Sequence, residues 1–363
     1  MLTRIYIDNF RSFVNFEYRP DRKQLLLGAN GSGKSSLLDA IRYVQRFIGG
    51  DENPFTQSTR TRWQDKPLQV VEIEALLDDK KYEYRVEIGL SGNLAPVNIE
   101  RLKVSGVPAF EFANGDIRFF PDNGSEAKSI PYVTTKSALH LSYLSNSHVS
   151  RFVSWMDTLH CIRTGEPYDL LDESGDGAER RPRYAPEFRP GWYSLMAGVY
   201  PEENVKFLES MKATLDGFQT LRFYSEEDGV KKLRADFTTS TQKRVSYLLS
   251  ELSDGQRCLL GLYMILHFLI ARGHTVFIDE PDNFISLREI QPWLLAAGEA
   301  VEDHNGQLIL ISHHPEILNQ WAQEYGLRFF REDNGHVRTE KFKTDPDGNL
   351  QPSELIARGQ DGE

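Results

Sequence analysis

The sequence feature that most constrains the fold is a glycine-rich segment near the N-terminus, Gly28-Ala29-Asn30-Gly31-Ser32-Gly33-Lys34-Ser35. It follows the apolar run Leu25-Leu26-Leu27 and precedes a stretch with helical spacing that extends to about Ile48. Strand, loop and helix together have the G-x-x-x-x-G-K-S spacing of a phosphate-binding loop. The glycines let successive backbone N–H groups point at one anion, and the helix N-terminus adds partial positive charge. The segment therefore predicts a site for nucleotide phosphates.

Individual residues of this loop have distinct predicted roles. Lys34 can reach the outer phosphates of ATP, and the Ser35 hydroxyl can ligate Mg²⁺. The remaining residues predicted to contact the nucleotide here are Gly28, Asn30, Gly31, Gly33 and Ser36. The alternative is a Gly/Ser turn with a chance lysine, and the flanking strand and helix argue against it.

Composition bounds the class of protein. The chain has 363 residues, 40% of them hydrophobic, which suggests two globular domains or one large α/β domain with an insertion. Cys161 and Cys258 are the only cysteines, too few for a disulfide framework, so we expect a cytoplasmic protein. No apolar run approaches the length of a membrane span, and the alternating N-terminal residues are unlike a signal peptide. We therefore expect no membrane partner.

The charge balance bears on nucleic-acid binding. The formal net charge is −11, which argues against a strongly basic DNA-binding face. Local basic clusters lie at 60–62, 180–183 and 231–232. On composition alone each cluster is better interpreted as solvated surface than as a nucleic-acid contact, although nucleic acid stays possible.

The chain is predicted to be an α/β protein of four parts. Residues 1–59 carry antiparallel strands and the phosphate loop. Residues 60–245 form a mixed α+β insertion, mainly antiparallel over 60–125, with a helix from Val149 to His160 and a mobile loop over 164–192 that is poor in aliphatic residues. Residues 246–345 alternate helices with short apolar strands, which indicates a parallel sheet covered on both faces. Residues 346–363 are a polar tail, expected to fray.

Carboxylates follow a strand of the fourth quarter of the chain. The apolar run Val276-Phe277-Ile278 ends in Asp279 and Glu280. In a phosphate-loop enzyme the first carboxylate holds Mg²⁺ through water, and the second is placed to polarise the attacking water. A strand that ends in Asp-Glu is unremarkable alone, and the phosphate loop upstream favours the functional interpretation.

Two further segments are candidate parts of the same site. Ser253, Gly255 and Gln256 lie at the start of a long apolar helix predicted over 254–271, where exposed N–H groups could bind an anion. The local alternative is that Ser253 or Asp254 simply caps the helix, and both interpretations can hold. His313 follows the buried strand 308–311, at the end of a parallel sheet where ligands bind, and is predicted to sense the γ-phosphate.

The order of these elements resembles that of the ABC-class ATPases. The opening Ile7-Asp8-Asn9-Phe10-Arg11-Ser12-Phe13 and the later Ser312-His313-His314-Pro315-Glu316 resemble the branch with SMC-like, RecF-like and overcoming-lysogenization-defect ATPases. Within it the chain is most similar to bacterial ATPases of the AAA_21 type, many of which belong to anti-phage defence systems. The resemblance implies an ABC-type nucleotide-binding fold with ATP and Mg²⁺ as cofactors. No heptad run predicts a long coiled coil.

The resemblance also implies a head-to-tail homodimer or higher assembly. ATP bound by Lys34 and Ser35 of one subunit would be closed by Ser253, Gly255 and Gln256 of the other. The resemblance further implies that Glu280 is the general base, that His313 contacts the γ-phosphate and that Arg11 lies close to the nucleotide.

The sequence departs from the family pattern at several positions. Asp254 stands in the signature where glycine is common, and Ser286 stands where aspartate or histidine is usual. No clear glutamine loop is visible, and the candidate slot over 141–148 offers only Ser145 or Asn146 for that Mg²⁺ contact.

Two functions remain open from the sequence. The first is an ATP-gated switch in anti-phage defence that acts on a separate effector, a nuclease or toxin, because no second catalytic cluster is visible. The second is a RecF-like DNA repair or recombination ATPase that binds DNA across the dimer. A transporter subunit and a non-hydrolysing scaffold are less well supported, the latter because a scaffold needs neither Glu280 nor His313.

Overall fold

The fold divides into two compact units. The first unit comprises Met1–Cys161 and Ala322–Glu363, and the second unit comprises Ile162–Trp321. The computed structural model describes residues 1–51, 53–89, 95–122, 128–131, 135–139, 146–163, 173–174, 190–225, 231–345 and 348–360. The four-part division drawn from the sequence stays a prediction.

The first unit contains an antiparallel sheet of eight strands in the order β2-β1-β4-β5-β6-β7-β8-β9. The strands are β1 Leu2–Asp8, β2 Phe16–Tyr18, β4 Leu68–Leu77, β5 Lys80–Gly89, β6 Val97–Val104, β7 Val107–Ala113, β8 Asp116–Phe119 and β9 Lys128–Pro131. Asp78 and Asp79 both adopt positive φ, of 50° and 60°, which matches the twist of a two-residue hairpin between β4 and β5. The predicted antiparallel character of 60–125 is confirmed.

The phosphate-loop strand of this unit lies in a second group of strands. Strand β3, Lys23–Leu27, pairs in parallel with β17, Gly326–Arg331, and β17 pairs antiparallel with β18, Val337–Lys341. Helix α1, Lys34–Ile48, follows the loop directly. Leu25, Leu26 and Leu27 are all buried, as expected for a strand covered on both faces.

Two elements differ from the sequence prediction. The helix predicted over 149–160 is α2, Ser147–Met156, and the chain continues as strand β10, Leu159–Arg163. The helix stops because both the N–H and the hydroxyl of Thr158 bond the carbonyl of Trp155, at 2.8 Å each. The expected fraying of the tail is wrong for α8, Pro352–Ala357, where Pro352 and Leu355 are buried.

The second unit combines helices with two groups of strands. The helices that begin in it are α3 Pro190–Val199, α4 Pro201–Thr214, α5 Asp254–Phe268, α6 Leu287–Asp303 and α7 Pro315–Tyr325. Strands β11 Glu173–Ser174, β12 Phe218–Ser225, β13 Lys231–Thr238 and β14 Arg244–Leu248 pair antiparallel. Strands β15 Thr275–Asp279 and β16 Gln307–Ile311 pair in parallel, and every residue of both is buried. The predicted parallel, doubly covered strands are confirmed.

The remaining fold predictions have mixed outcomes. The loop predicted over 164–192 lies outside the described residues, apart from β11 and the first residues of α3. Helix α5 ends at Phe268, before the predicted Ala271. The longest helix in the described part of the chain, α6, has 17 residues, so no long coiled coil is present there. None of the helices in that part has the length and apolar character to cross a membrane.

Candidate functional site

The phosphate loop has a backbone that only glycine can adopt at two positions. Gly28 has φ +129°, and a methyl group there would come within 2.1 Å of the carbonyl oxygen of Phe329. Gly33 has φ +111°, and a methyl group there would come within 2.8 Å of the Val337 side chain. At the tip, Asn30 and Gly31 are exposed. The loop is thus closely packed at its base and open at its tip, as a phosphate cradle requires.

Lys34 is held over this loop. Its side chain is buried, and its ammonium group donates to the carbonyl of Gly28, to that of Ala29 at 3.1 Å and to the hydroxyl of Ser32 at 3.5 Å. These acceptors belong to the loop itself, so the loop orients its own cation. Ser35 follows in the first turn of α1.

Arg11 lies against the first turns of the same helix. It adopts φ 50°, and its N–H donates to the carbonyl of Thr59 at 2.7 Å. Its guanidinium pairs with the carboxylate of Asp39 and donates to the Ser36 hydroxyl at 3.3 Å. The first unit therefore brings Arg11 and Ser36 together at the start of the helix that follows the phosphate loop.

In the second unit, Asp279 and Glu280 stand at the end of β15. Asp279 is buried and pairs in register with Ile311 of β16. Glu280 is exposed at φ 60°, its N–H donates to the carbonyl of Ile311 at 2.7 Å, and its carboxylate accepts from the Asn283 amide at 2.9 Å. A positive φ is uncommon for glutamate, and here it turns the chain away from the strand direction.

The segment after β16 is tied to the segment after β15. The Ser312 hydroxyl donates to the Asp282 carboxylate at 2.6 Å and accepts from the His314 N–H at 2.9 Å. His313, which lies between Ser312 and His314 in the sequence, has an exposed side chain. The second unit thus brings His313 to the same ends of β15 and β16 as the predicted catalytic carboxylates.

The signature segment is a helix cap. The Ser253 hydroxyl accepts from the Gln256 N–H at 3.3 Å, and the Gln256 side chain accepts from the Ser253 N–H at 3.0 Å. This reciprocal pair caps α5 as a capping box, the local alternative raised by the sequence. Asp254 pairs with Arg257 one turn on. Gly255 lies against the loop after Glu280, because a methyl group there would come within 2.8 Å of the Phe284 carbonyl oxygen.

The glutamine-loop prediction has a different outcome. Asn146 is the N-cap of α2, accepting from the Val149 N–H at 3.0 Å and donating to the Phe120 carbonyl at 2.5 Å, and Ser145 lies outside the described residues. The side chain found at Asp279 is Arg163, whose Nε lies 3.4 Å from Oδ2 of that carboxylate. Arg163 is not predicted from the sequence, where its one signal is a charge that ends the run Leu159–Ile162.

Ser286, the other departure, caps α6. Its hydroxyl and its N–H both donate to the Glu289 carboxylate, at 2.6 Å and 3.1 Å. The residue is therefore engaged in helix capping within its own unit.

Each unit holds residues of the types that ATP and Mg²⁺ require. In the first unit the loop offers backbone N–H groups and a cation for phosphates, and Ser35 offers a hydroxyl oxygen. In the second unit Asp279 offers a carboxylate, and oxygen is the ligand that Mg²⁺ prefers. No group of three or more His, Cys, Asp or Glu side chains suited to a metal occurs among the described residues.

A phosphate loop between a buried strand and a helix, with carboxylates at the end of a parallel strand, defines a phosphate-loop ATPase. Residues 25–319 match the AAA_21 family, described as "AAA domain, putative AbiEii toxin, Type IV TA system". The chain belongs to this family and is an ATPase of the AAA/ABC class. No match is found among the curated proteins.

Two solved structures share the fold. One is an SMC head bound to the C-winged helix domain of ScpA, with a TM-score of 0.58 and 13% identity over 94% of this chain and 97% of that chain. The other is the SMC head domain from Thermotoga maritima, with a TM-score of 0.50 and 14% identity over 94% of this chain and 99% of that chain. The expected mixed α/β fold of the SMC-like branch is thereby confirmed.

Proposed function

We propose that this ATPase is a switch in bacterial anti-phage defence, in which two copies close around ATP and act on a separate effector protein. The observation that supports the proposed dimer is an exposed apolar surface beside the signature segment. Phe284 and Leu287 are 54% and 56% exposed, and the Phe284 backbone contacts Gly255. Large apolar side chains on a surface that is predicted to bind nucleotide favour cover by another protein surface.

The proposed chemistry assigns each residue a task. Lys34 and the N–H groups of the loop bind the phosphates of ATP, while Ser35 and Asp279 hold the Mg²⁺ that neutralises phosphate charge. Glu280 accepts a proton from the attacking water, and His313 contacts the γ-phosphate.

Arg11 adds a further positive charge beside α1, and Ser253, Gly255 and Gln256 close the site from the other copy. Hydrolysis then removes the ligand that both copies share, and the dimer opens. The proposed cycle thereby links the ATP state to what a partner can bind.

The family description supports a second component. It calls the matched domain a putative toxin of a type IV toxin–antitoxin system, which is a system of more than one component. We infer that the partner is a nuclease or toxin, and that the closed dimer is the form it recognises. A cytoplasmic location follows from this role.

The first experiment uses Glu280→Gln, which should bind ATP and hardly hydrolyse it, with turnover lowered about 100-fold or more because the general base is lost. Light scattering with ATP and Mg²⁺ should then show a shift from monomer to dimer. Phe284→Ser and Leu287→Ser should weaken this shift, whereas Leu295→Ser, equally exposed on α6 at 57%, should not. Normal turnover in Glu280→Gln, or a mass unmoved by ATP, contradicts the proposal.

The second candidate is a DNA repair or recombination ATPase, and one observation favours it. The face of the β12–β13–β14 sheet opposite its buried side carries the cations Arg222, Lys232, Arg234 and Arg244. The guanidinium groups of Arg222 and Arg234 lie 5.7 Å and 5.9 Å from the ring of Tyr224. Cations interleaved with an aromatic ring suit single-stranded nucleic acid.

A salt titration tests this candidate. Binding of a labelled single strand should weaken steeply as salt rises, and the double variant Lys232→Ala/Arg244→Ala should flatten the slope by about two charges. Lys206→Ala/Lys212→Ala on α4 removes the same charge elsewhere in the unit and serves as the control. Equal slopes for both double variants would reject the DNA-binding candidate.

A further inference from the structure

A cation lies on the carboxylate that is expected to hold the metal. Arg163 is the last residue of β10, and its Nε lies 3.4 Å from Oδ2 of Asp279. The Asp279 side chain is 10% exposed, whereas that of Arg163 is 44% exposed. The carboxylate is therefore fixed in the strand end, and the cation approaches it from the solvent side on a long, flexible stem.

The other carboxylates near this strand end have neutral partners. Glu280 accepts from the Asn283 amide at 2.9 Å, and Asp282 accepts from the Ser312 hydroxyl at 2.6 Å. A neutral donor orients a carboxylate and leaves its charge in place, whereas a guanidinium at this distance offsets the charge. Asp279, the predicted metal ligand, has a positively charged neighbour in Arg163.

We propose that Arg163 sets the metal requirement of this ATPase by competing with Mg²⁺ for Asp279. The inference rests on the proposed function, in which Asp279 holds Mg²⁺. A guanidinium and Mg²⁺ at one carboxylate repel each other and offset the same negative charge, so the two cations compete for Asp279. Arg163 then moves off Asp279, and its charge becomes available to the phosphates that arrive with the metal.

The exchange makes metal binding depend on ATP. Mg²⁺ alone gains little by displacing a bound guanidinium, whereas Mg²⁺ with ATP brings phosphate oxygens that can take up both cations. Arg163 thereby discriminates against free Mg²⁺ and favours the metal–nucleotide complex. It acts through Asp279 and is a positioning residue.

The test compares Arg163→Gln with Arg163→Lys. The amide removes the competing charge, so the concentration of Mn²⁺ that half-saturates the protein in the absence of nucleotide, measured by electron paramagnetic resonance, should fall about fivefold. Arg163→Lys keeps the charge, so its half-saturating Mn²⁺ concentration should stay near that of the parent protein. The Mg²⁺ concentration for half-maximal ATP hydrolysis should likewise fall in Arg163→Gln and stay near the parent value in Arg163→Lys.

The chain offers a matched control in the same unit. Arg272 lies 3.4 Å from the Glu203 carboxylate and is 37% exposed, so Arg272→Gln breaks an equivalent pair away from Asp279 and should leave Mn²⁺ binding unchanged. Unchanged or weaker Mn²⁺ binding in Arg163→Gln would overturn the inference. Asp279→Asn distinguishes a failure of this inference from a failure of the proposed function. If this variant binds Mn²⁺ as the parent protein does, the metal site itself is misassigned and the proposed function fails, whatever Arg163 does.

Discussion

The phosphate loop of the first unit and the carboxylates of the second unit are held in place in different ways. The loop is contiguous in sequence, and its lysine is bound by carbonyl groups of the same loop, those of Gly28 and Ala29. Glu280 instead depends on a backbone bond to Ile311, on the neighbouring parallel strand. The cation of the phosphate loop is therefore oriented locally, whereas the proposed general base is positioned by long-range strand pairing.

The largest expected effect comes from Lys34→Ala. The variant removes the cation from a loop whose backbone stays intact, so affinity for a fluorescent ATP analogue should fall about 100-fold or more. The thermal midpoint of unfolding should hardly move if the loop is locally built. Lys80→Ala, at an exposed position in the β4–β5 hairpin, is the control for lost charge. An unaltered affinity for the analogue would refute the role of the loop.

The next effect separates two glycines of the same loop. Gly28→Ala puts a methyl group 2.1 Å from the Phe329 carbonyl at a φ of +129°, whereas Gly31→Ala, at φ +78°, meets no atom within 4 Å. Gly31→Ala should therefore cost about 1–3 kcal/mol at most, through backbone strain alone. Gly28→Ala should cost clearly more, and calorimetry should show the larger drop in midpoint. Equal drops would mean that β17 does not support the loop.

The two units should also respond to pH with opposite sign. Burial raises the pKa of Glu100 in the first unit to about 7, even though Tyr84, Ser137 and the Ala138 N–H all donate to it. Glu100 binds its proton more tightly in the folded protein than in the unfolded chain. Its contribution to the free energy of unfolding is therefore present at low pH and is lost as pH rises from about 4.5 to about 7. The full effect is about 3 kcal/mol.

The second unit has buried histidines instead. Burial lowers the pKa of both His267 and His274 to about 4. Their contribution to the free energy of unfolding is therefore present above about pH 6.5 and is lost as pH falls. Hydrogen exchange should thus show the first unit relatively better protected near pH 5 and the second near pH 7. Glu100→Gln should flatten the first trend and His267→Gln the second. Parallel trends in both units would contradict the assignment.

The smallest expected effect on stability comes from Ser253→Ala. Loss of the cap should cost about 1 kcal/mol, or about 2–4 °C in midpoint, while ATP-dependent dimerisation should be lost almost completely. Asn146→Ala removes a cap from α2 and should destabilise at least as much, without affecting the dimer. Dimerisation that survives Ser253→Ala would show that the segment only caps α5.

The sequence predicted what depends on local spacing. The phosphate loop, the β4–β5 hairpin and the buried strands β15 and β16 each have a signal within a few residues, namely glycine spacing, alternation or an unbroken apolar run. Helix α8 was missed because its buried contacts, at Pro352 and Leu355, are few and lie in a polar segment.

Arg163 was out of reach for a different reason. Its distance in sequence from Asp279 exceeds 100 residues, and no local pattern records which strand ends meet. In the slot over 141–148, the sequence offers Asn146 for a metal contact, whereas in the structure Asn146 serves as a helix cap. Polar residues at helix starts are ambiguous in this way, because caps and ligand contacts use the same side chains.

The contact between Gly255 and Phe284 has a consequence for how this chain can vary. Phe284 directly follows Asn283, whose amide holds the Glu280 carboxylate, so a side chain at position 255 would press on the loop that orients the proposed general base of its own subunit. In the proposed dimer, a substitution there would damage two different half-sites at once. The absence of a side chain at Gly255 would then serve both the contact with the other copy and the position of Glu280.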